Sequence, residues 1–206
     1  MYTSYTFDAY NVYMSKQRIL SAARTVLEEG GVSALTVRKV ADQAGLSAMA
    51  MYRHYANKEA LLNALMEDGL DAWEQIAHSI RAADPLEWLA ALSEEYLEFA
   101  LAEPHRFDAA FFLAAPLARQ YPQDFAMGRS PVMTMAMERI EAARQKGLLG
   151  KQPSLAMALQ FAALAQGLVS MYRANRFANE AQFRGLYKEQ IRQCLNSFLP
   201  KPRKGM

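Results

Sequence analysis

Apolar residues recur at intervals of three and four along nearly the whole chain of 206 residues. This spacing is typical of amphipathic α-helices, and no segment shows the sustained alternation of apolar and polar residues that indicates a strand. Ala, Leu, Met, Glu, Gln and Arg, which favour helices, are frequent. The pattern therefore predicts an all-α fold of about nine helices.

Four helices are predicted before residue 81, each with a recognisable end. Gly30-Gly31 ends the first helix, Thr36 and Ser47 are N-caps of the second and third, and Asn57 caps a long fourth helix. The predicted ranges are about 16–29, 36–44, 47–55 and 57–80.

In the rest of the chain, proline and glycine mark where the predicted helices begin and end. Pro85 and Pro104 each stand at the start of a predicted helix, where proline suits the first turn, and Gly147 ends another. The predicted helices cover about 85–103, 105–115, 132–146, 153–173 and 179–199, and a connection over 116–130 has room for one short helix.

The two ends of the chain differ from the rest. Residues 1–15 lack a helical pattern and are interpreted as an N-terminal arm or extension. Met14 followed by Ser15 resembles a natural start, so residues 1–13 are an upstream extension, an arm or a start-site error. Residues 201–206 are predicted to form a disordered tail. Between them we predict a small domain over 16–60 and a larger helical domain over 61–200.

Composition and charge narrow the class of protein. The net charge is +2, but residues 16–58 carry seven basic and three acidic side chains, which hints at a polyanionic partner. The single cysteine, Cys194, excludes a disulfide within the chain and fits a reducing cytoplasm. No apolar run approaches the roughly 20 residues that cross a bilayer, so no membrane partner is expected.

The segment from Leu35 to Leu62 has the pattern of a helix-turn-helix. Small Ala41 permits a close helix crossing, and Gly45 supplies the backbone freedom that the turn requires. Met51 and Tyr55 are expected to pack inward. The start of the third helix is then exposed, and in such a motif this end reads base edges in the major groove.

This segment resembles the DNA-binding domain of the tetracycline-repressor (TetR) family. The resemblance needs no gap, covers about the first quarter of the chain and rests on Thr36, Ala41, Gly45-Leu46, Met51-Tyr52-Arg53-His54-Tyr55 and Lys58. The family resemblance implies phosphate contacts by several of these side chains, and a contact of Arg38 with a base edge. Arg53 is a second candidate for base reading. Apolar residues occupy the other base-facing positions, so much specificity is expected from DNA shape. The implied DNA-binding residues are Thr36, Arg38, Ser47, Ala48, Met49, Ala50, Tyr52, Arg53, His54 and Lys58.

Some of these residues have plainer interpretations. Tyr52 and His54 also fit a structural role, whereas Lys16, Arg24 and Lys39 are interpreted as solvated charges that attract DNA diffusely.

The remaining three quarters resemble the family in architecture only, as a ligand-binding and dimerising body. Aromatic and methionine side chains are abundant there, which suits a hydrophobic or aromatic effector, although most must form the core. Glu74 stands where tetracycline-binding members carry a histidine, so tetracycline with magnesium is not expected. Arg106 is a further polar candidate; the main pocket candidates are Trp73, Glu74, His105, Phe107, Phe111 and Gln166.

A stripe on the last predicted helix indicates a homodimer interface. Its apolar residues recur at spacings of three and four. The preceding helix has small side chains, which permit a partner helix to approach closely. Part of the stripe must also face the subunit's own core. The candidates are Ala162, Tyr187, Ile191, Cys194 and Phe198.

The sequence shows no metal motif, cofactor motif or catalytic constellation, so neither a cofactor nor an enzyme is expected. Cys194 is interpreted as a buried residue rather than a redox sensor. The resulting hypothesis is a cytoplasmic, ligand-responsive regulator, a repressor released from a palindromic DNA operator by a small molecule. The alternatives are an activator, or a helical binding protein or enzyme without DNA function.

Overall fold

A computed structural model describes the backbone of residues 3–200 and the side chains of residues 15–200. Within these residues the chain is all-helical, as predicted, with ten helices and no strand. The disordered tail predicted over 201–206 lies outside the described residues. The helices are α1 (Thr3–Ala34), α2 (Val37–Ala44), α3 (Ala48–Tyr52), α4 (Lys58–Ser79), α5 (Pro85–Ala102), α6 (Pro104–Phe111), α7 (Gln123–Ala126), α8 (Pro131–Gln145), α9 (Ser154–Arg173) and α10 (Glu180–Ser197).

The start of α1 and the end of α6 differ from their predicted positions. Helix α1 begins at Thr3 rather than near residue 16. Adding residues to an existing helix costs little free energy, even where the added residues have no apolar stripe. It is interrupted at Gly31, whose φ of 66° and ψ of −170° are not helical, and this supports the predicted end. Helix α6 ends at Phe111 instead of reaching residue 115.

The chain divides into two compact units. The N-terminal unit comprises residues 1–71 and 103–118, and the C-terminal unit comprises residues 72–102 and 119–206. Helix α6 thus belongs to the N-terminal unit, although a boundary near residue 60 was expected from the sequence. Helix α4 is continuous through the boundary between Asp71 and Ala72.

The core of the N-terminal unit joins α1, α2, α4 and α6. Ile19 and Val26 of α1, Val40 of α2 and Leu61 of α4 are all fully buried in this core. Helices α4 and α6 cross at Gly69, where a Cβ atom would lie 2.6 Å from the carbonyl oxygen of Arg106. Only glycine permits so close an approach, and it holds α6 directly against α4.

The core of the C-terminal unit is built mainly by α5, α8, α9 and α10. Trp88, Ile140, Met157 and Phe183 are completely buried there. Tyr187 donates a buried hydrogen bond of 2.8 Å to the carbonyl oxygen of Ser93, which ties α10 to α5. The buried phenol therefore has a partner, as burial of a polar group requires.

Helix α9 is more apolar than the sequence analysis expected. Among the described helices it alone is long and apolar enough to cross a membrane, judged by length and composition. Core helices of water-soluble proteins pass the same test, and only a third of the apolar window is buried in the subunit. An apolar helix with so much exposed surface is suited to contact with another protein surface.

Candidate nucleic-acid interface

Side-chain caps fix both helices of the helix-turn-helix, as the sequence predicts. Thr36 Oγ1 accepts a hydrogen bond of 3.1 Å from the Lys39 N–H at the start of α2. Ser47 Oγ accepts one of 3.1 Å from the Ala50 N–H at the start of α3. Because each cap satisfies a free backbone donor, both helices begin at defined residues.

Gly45 makes the turn between α2 and α3. Its φ of 64° and ψ of 38° lie in the left-handed region, which glycine enters without a steric penalty. The N–H of Leu46 donates a 2.9 Å hydrogen bond to the carbonyl oxygen of Ala41 and closes the turn. Ala41 is buried, so the small side chain at this position permits the helix crossing.

Helix α3 separates a buried side from an exposed side. Met51 and, just after the helix, Tyr55 are buried as predicted, whereas Met49 is 70% exposed and Tyr52 is 53% exposed. Met49 and Tyr52 are three residues apart, so their side chains are neighbours on the helix surface. Their placement beside exposed Ser47 and Ala48 creates a face suited to a groove with methyl groups and sugar–phosphate walls.

Helix α3 is shorter than predicted, because it ends at Tyr52 instead of Tyr55. Arg53 and His54 therefore lie in the turn after the helix, closed by a 2.9 Å hydrogen bond from the His54 N–H to the Met51 carbonyl oxygen. The chain must leave the helical conformation before Asn57, whose Oδ1 caps α4 by accepting from the Ala60 N–H at 2.8 Å.

Two exposed guanidinium groups of the helix-turn-helix segment have no partner among the described residues. Arg38 and Arg53 are exposed, and within residues 15–200 neither forms an ion pair or a side-chain hydrogen bond. An arginine without a carboxylate partner keeps all its donors for a phosphate or a guanine edge. The geometry thus allows the roles that the family resemblance implies for them.

Lys58 has a structural contact that the sequence did not indicate. Its Nζ donates a hydrogen bond of 3.2 Å to the carbonyl oxygen of Val32, just after the interruption of α1 at Gly31. Lys58 thereby joins the start of α4 to the last turn of α1. His54 is half-buried beside this face.

Sequence reasoning missed an ion-pair cluster in the N-terminal unit. Asp68 of α4 accepts hydrogen bonds from Arg24 of α1 at 2.8 and 2.9 Å and from Arg106 Nε of α6 at 3.1 Å. Arg24 is thus not the solvated charge that the sequence suggested. Arg106 is held by this carboxylate rather than left free for a ligand.

Arg18 is a second missed contact in the same unit. Its guanidinium donates a 2.7 Å hydrogen bond to the carbonyl oxygen of Ala44, in the last turn of α2. A cation at this end of a helix is favourable because the terminal carbonyls are partly negative. Arg18 therefore holds α2 against α1.

The six pocket candidates divide between the two units. In the C-terminal unit, buried Trp73 contacts Tyr96 and Phe99, and half-buried Glu74 lies 3.5 Å from His78 Nε2. Gln166 is half-buried in the same unit. In the N-terminal unit, Phe107 packs against Phe111, with ring centroids 4.8 Å apart, and His105 is half-buried.

Four of the five dimer candidates are core residues of their own subunit. Tyr187, Ile191, Cys194 and Phe198 are each at most 7% exposed, because the apolar stripe of α10 packs against the rest of the C-terminal unit. Burial also raises the pKa of the Cys194 thiol, which fits a structural cysteine rather than a redox sensor.

A different face of α9 and α10 is available to a partner. Ala162 of α9 is half-buried, and the exposed residues of the two helices recur at spacings of three and four. On α9 they are mostly small or apolar, namely Ala156, Leu159, Ala163, Gly167 and Met171. On α10, exposed Gly185 and Leu186 stand among mainly polar residues.

Comparisons with known proteins match both parts of the chain. Residues 19–65 match the family described as bacterial regulatory proteins, tetR family. Residues 89–194, more than half of the chain, match a family described as tetracyclin repressor-like, C-terminal domain.

Two curated relatives share the N-terminal region. The chain is 44% identical over 66 residues to the Tetracycline repressor protein class A from transposon 1721 of Escherichia coli, a match covering 32% of this chain and 30% of that protein. It is 33% identical over 81 residues to the HTH-type transcriptional repressor KstR2 of Mycolicibacterium smegmatis, covering 37% of this chain and 38% of that protein. The matches thus span about a third of the length of these relatives.

A solved structure extends the similarity to the whole fold. A bacterial regulatory protein in the tetR family from Rhodococcus RHA1 aligns over 91% of this chain and 98% of its own, with a TM-score of 0.69 at 20% identity. At this identity the likeness shows the fold alone, but the two matching family descriptions cover both units. The chain therefore belongs to the tetR family of DNA-binding transcriptional regulators.

Proposed function

We propose that this chain is a homodimeric repressor that binds a palindromic operator and leaves it when a small apolar or aromatic molecule binds. The observation that carries the proposal is the exposed surface of the helix-turn-helix. Met49 and Tyr52 are exposed on α3, and the exposed guanidinium groups of Arg38 and Arg53 form no ion pair or side-chain hydrogen bond within residues 15–200. In a helix-turn-helix protein this is the face that enters the major groove.

In this proposal, different residues contact the bases and the phosphates. Arg38 contacts a base edge, with Ala48, Met49 and Ala50 against the groove floor. The phosphates are contacted or flanked by the remaining candidates: Thr36, Ser47, Tyr52, Arg53, His54 and Lys58. Thr36 and Ser47 use their hydroxyls as caps, so their contacts with phosphate come through the hydroxyl proton or the nearby backbone N–H groups.

Arg38 and Lys58 are expected to affect DNA binding in different ways. Arg38→Ala should weaken cognate binding by about 1–3 kcal/mol, mainly at one base pair per half-site, whereas Lys58→Ala should weaken all sequences alike and lower the salt slope by about one. The measurement is a mobility-shift titration at several salt concentrations, using DNA that flanks the protein's own gene and random DNA. Lys146→Ala, at the end of α8, is the matched control and should change neither quantity.

Two results would contradict the proposal. Equal losses on cognate and random DNA for Arg38→Ala would remove its role in base reading. Failure of the unmodified protein to bind the flanking DNA at low salt would remove the proposed operator there.

Helix α4 provides a physical route for the effector response. It begins at Lys58, beside the DNA-binding helices, and continues without a break to Ser79, past Trp73 and Glu74. Gly69 and Asp68 attach it to α6 and α1 within the N-terminal unit. A small pivot of α4 moves the recognition helix, and a dimer tolerates little change in the separation of its two recognition helices.

This route makes a reciprocal prediction. A coupling of about 1–3 kcal/mol changes operator affinity roughly 5–150-fold, and linkage requires DNA to weaken effector binding by the same factor. Calorimetric titration of an effector that releases the operator, with and without operator DNA, measures this directly. Identical effector affinity in the two titrations would exclude the coupling, even for a protein that binds both molecules.

A further inference from the structure

An arginine lies over a buried tryptophan in the C-terminal unit. The guanidinium Cζ of Arg139, on α8, is 4.1 Å from the ring centroid of Trp88, on α5. Trp88 is completely buried and Arg139 is partly buried. The contact is a cation–π interaction, which uses the faces of the two groups and leaves their N–H groups for other partners.

Most of these N–H groups have no acceptor among the described residues. Trp88 Nε1 is buried and donates no hydrogen bond. Arg139 donates one bond of 3.2 Å to the carbonyl oxygen of Met135, one turn earlier on its own helix. Within residues 15–200 no carboxylate pairs with Arg139. A positive charge and an unsatisfied buried donor thus lie side by side, and both are costly without an acceptor.

Four other half-buried arginines are paired with carboxylates. The pairs are Arg24 with Asp68, Arg106 with Asp68 and Glu103, Arg144 with Glu141, and Arg184 with Glu98 and Glu180. Arg139 differs from these four in having no acid, and it lies over a tryptophan whose buried indole N–H is also unsatisfied.

We infer that the effector carries a carboxylate, and that Arg139 and Trp88 bind it. This rests on the proposed function, since it names the chemical class of the effector. One carboxylate accepts a charge-assisted hydrogen bond from the guanidinium and a second hydrogen bond from the indole N–H. Close to Trp88 and Arg139 in the sequence, several buried residues are apolar: Leu89 and Leu92 on α5, and Ala136 and Ile140 on α8. The effector is therefore an apolar carboxylic acid, with an aliphatic or aromatic body.

Matched pairs of acids and neutral amides test the inference on the full-length protein. The probes are 2-naphthoate with 2-naphthamide, and decanoate with decanamide. The chain has two tryptophans, so ¹⁵N-labelled protein gives two indole signals, and Trp88→Phe assigns them. The acids should move the Trp88 indole proton downfield, because it gains an acceptor, and should bind about tenfold or more tightly than the amides.

Substitutions on α8 identify the group that reads the charge. Arg139→Gln should abolish the preference for acids over amides. Arg139→Lys keeps the positive charge, so it should retain a reduced preference for acids over amides. This variant still tests the inference if Arg139→Gln does not fold. Arg144→Gln is the control on the same helix, because Arg144 already pairs with Glu141, and it should leave the preference unchanged.

The outcomes separate this inference from the proposed function. Equal binding of acids and amides, an unchanged Trp88 signal on acid binding, or no binding of any probe at millimolar concentration would overturn the acid site. Release of the operator by neutral compounds alone would also overturn it but leave a ligand-responsive repressor. Absence of operator binding would instead refute the proposed function, whatever the indole signals show.

Discussion

Arginine in place of Gly167 is expected to convert the protein from a dimer to a monomer and to weaken operator binding by about 10²–10⁴-fold. Gly167 lies on the exposed face of α9, between Ala163 and Met171. If a second subunit packs on this face, a long charged side chain blocks the close approach that small residues permit. Each subunit then binds its half-site alone and loses the effective concentration that the dimer provides.

The substitution is designed to spare the subunit itself. A Cβ atom at Gly167 meets no other atom within 4 Å, and arginine favours a helix more than glycine does. Gln145→Arg, at the exposed end of α8, adds the same charge on a helix outside the proposed α9 and α10 face. Sedimentation velocity at micromolar concentration and mobility shift are the measurements. A dimeric Gly167→Arg protein with unchanged operator affinity would exclude this face.

Local signals predicted the recognition elements well. Thr36, Ser47 and Asn57 cap the helices that they were expected to cap, and Gly45 makes the turn. Each of these features depends on a side chain and backbone groups only a few residues away. Such contacts follow from the sequence without knowledge of the tertiary structure.

Long-range contacts could not be predicted in the same way. Arg24 and Asp68 are 44 positions apart, and Arg106 is 38 positions beyond Asp68. No periodicity links such residues, so Arg24 was interpreted as a solvated charge. Only the crossing of α4 and α6 at Gly69 brings Arg106 to the cluster, and a glycine inside a helix does not reveal its neighbour.

The α10 stripe shows a related limit of pattern analysis. The spacing of Tyr187, Ile191, Cys194 and Phe198 correctly indicates that one face of α10 is buried. It does not say whether the burying surface belongs to the same subunit or to a partner. The structure assigns this face to the subunit's own core, and the exposed face contains small residues and Leu186, which give a weaker apolar signal.

Removal of the Asp68 carboxylate is expected to destabilise the N-terminal unit by about 2–3 kcal/mol, somewhat less than the 3–5 kcal/mol typical of fully buried pairs. Asp68→Ala leaves the guanidinium groups of Arg24 and Arg106 without their shared acceptor. Their side chains are 28% and 27% exposed, so water compensates only in part. Helices α1, α4 and α6 lose the one carboxylate that they share.

The measurement must report on the N-terminal unit. Both tryptophans, Trp73 and Trp88, belong to the C-terminal unit, so their fluorescence is a poor probe of this unit. Amide hydrogen exchange of α1 and α6 follows its opening directly, and Asp68→Ala should accelerate exchange there by about 30–150-fold. Asp42→Ala, an exposed acid on α2, should stay within about 0.5 kcal/mol of the unmodified protein.

A triple substitution distinguishes the loss of a partner from the loss of packing. Replacing the whole cluster with apolar residues, as Arg24→Met, Asp68→Leu and Arg106→Met, removes the unpaired charges as well as the ion pairs. Such replacements of buried ion pairs are often neutral or stabilising, so most of the stability lost in Asp68→Ala should return. If Asp68→Ala matches Asp42→Ala in its exchange rates, the cluster contributes little to stability. If the triple variant is as unstable as Asp68→Ala, the ion pairs themselves hold the three helices together, and α4 depends on them for its attachment to α1 and α6.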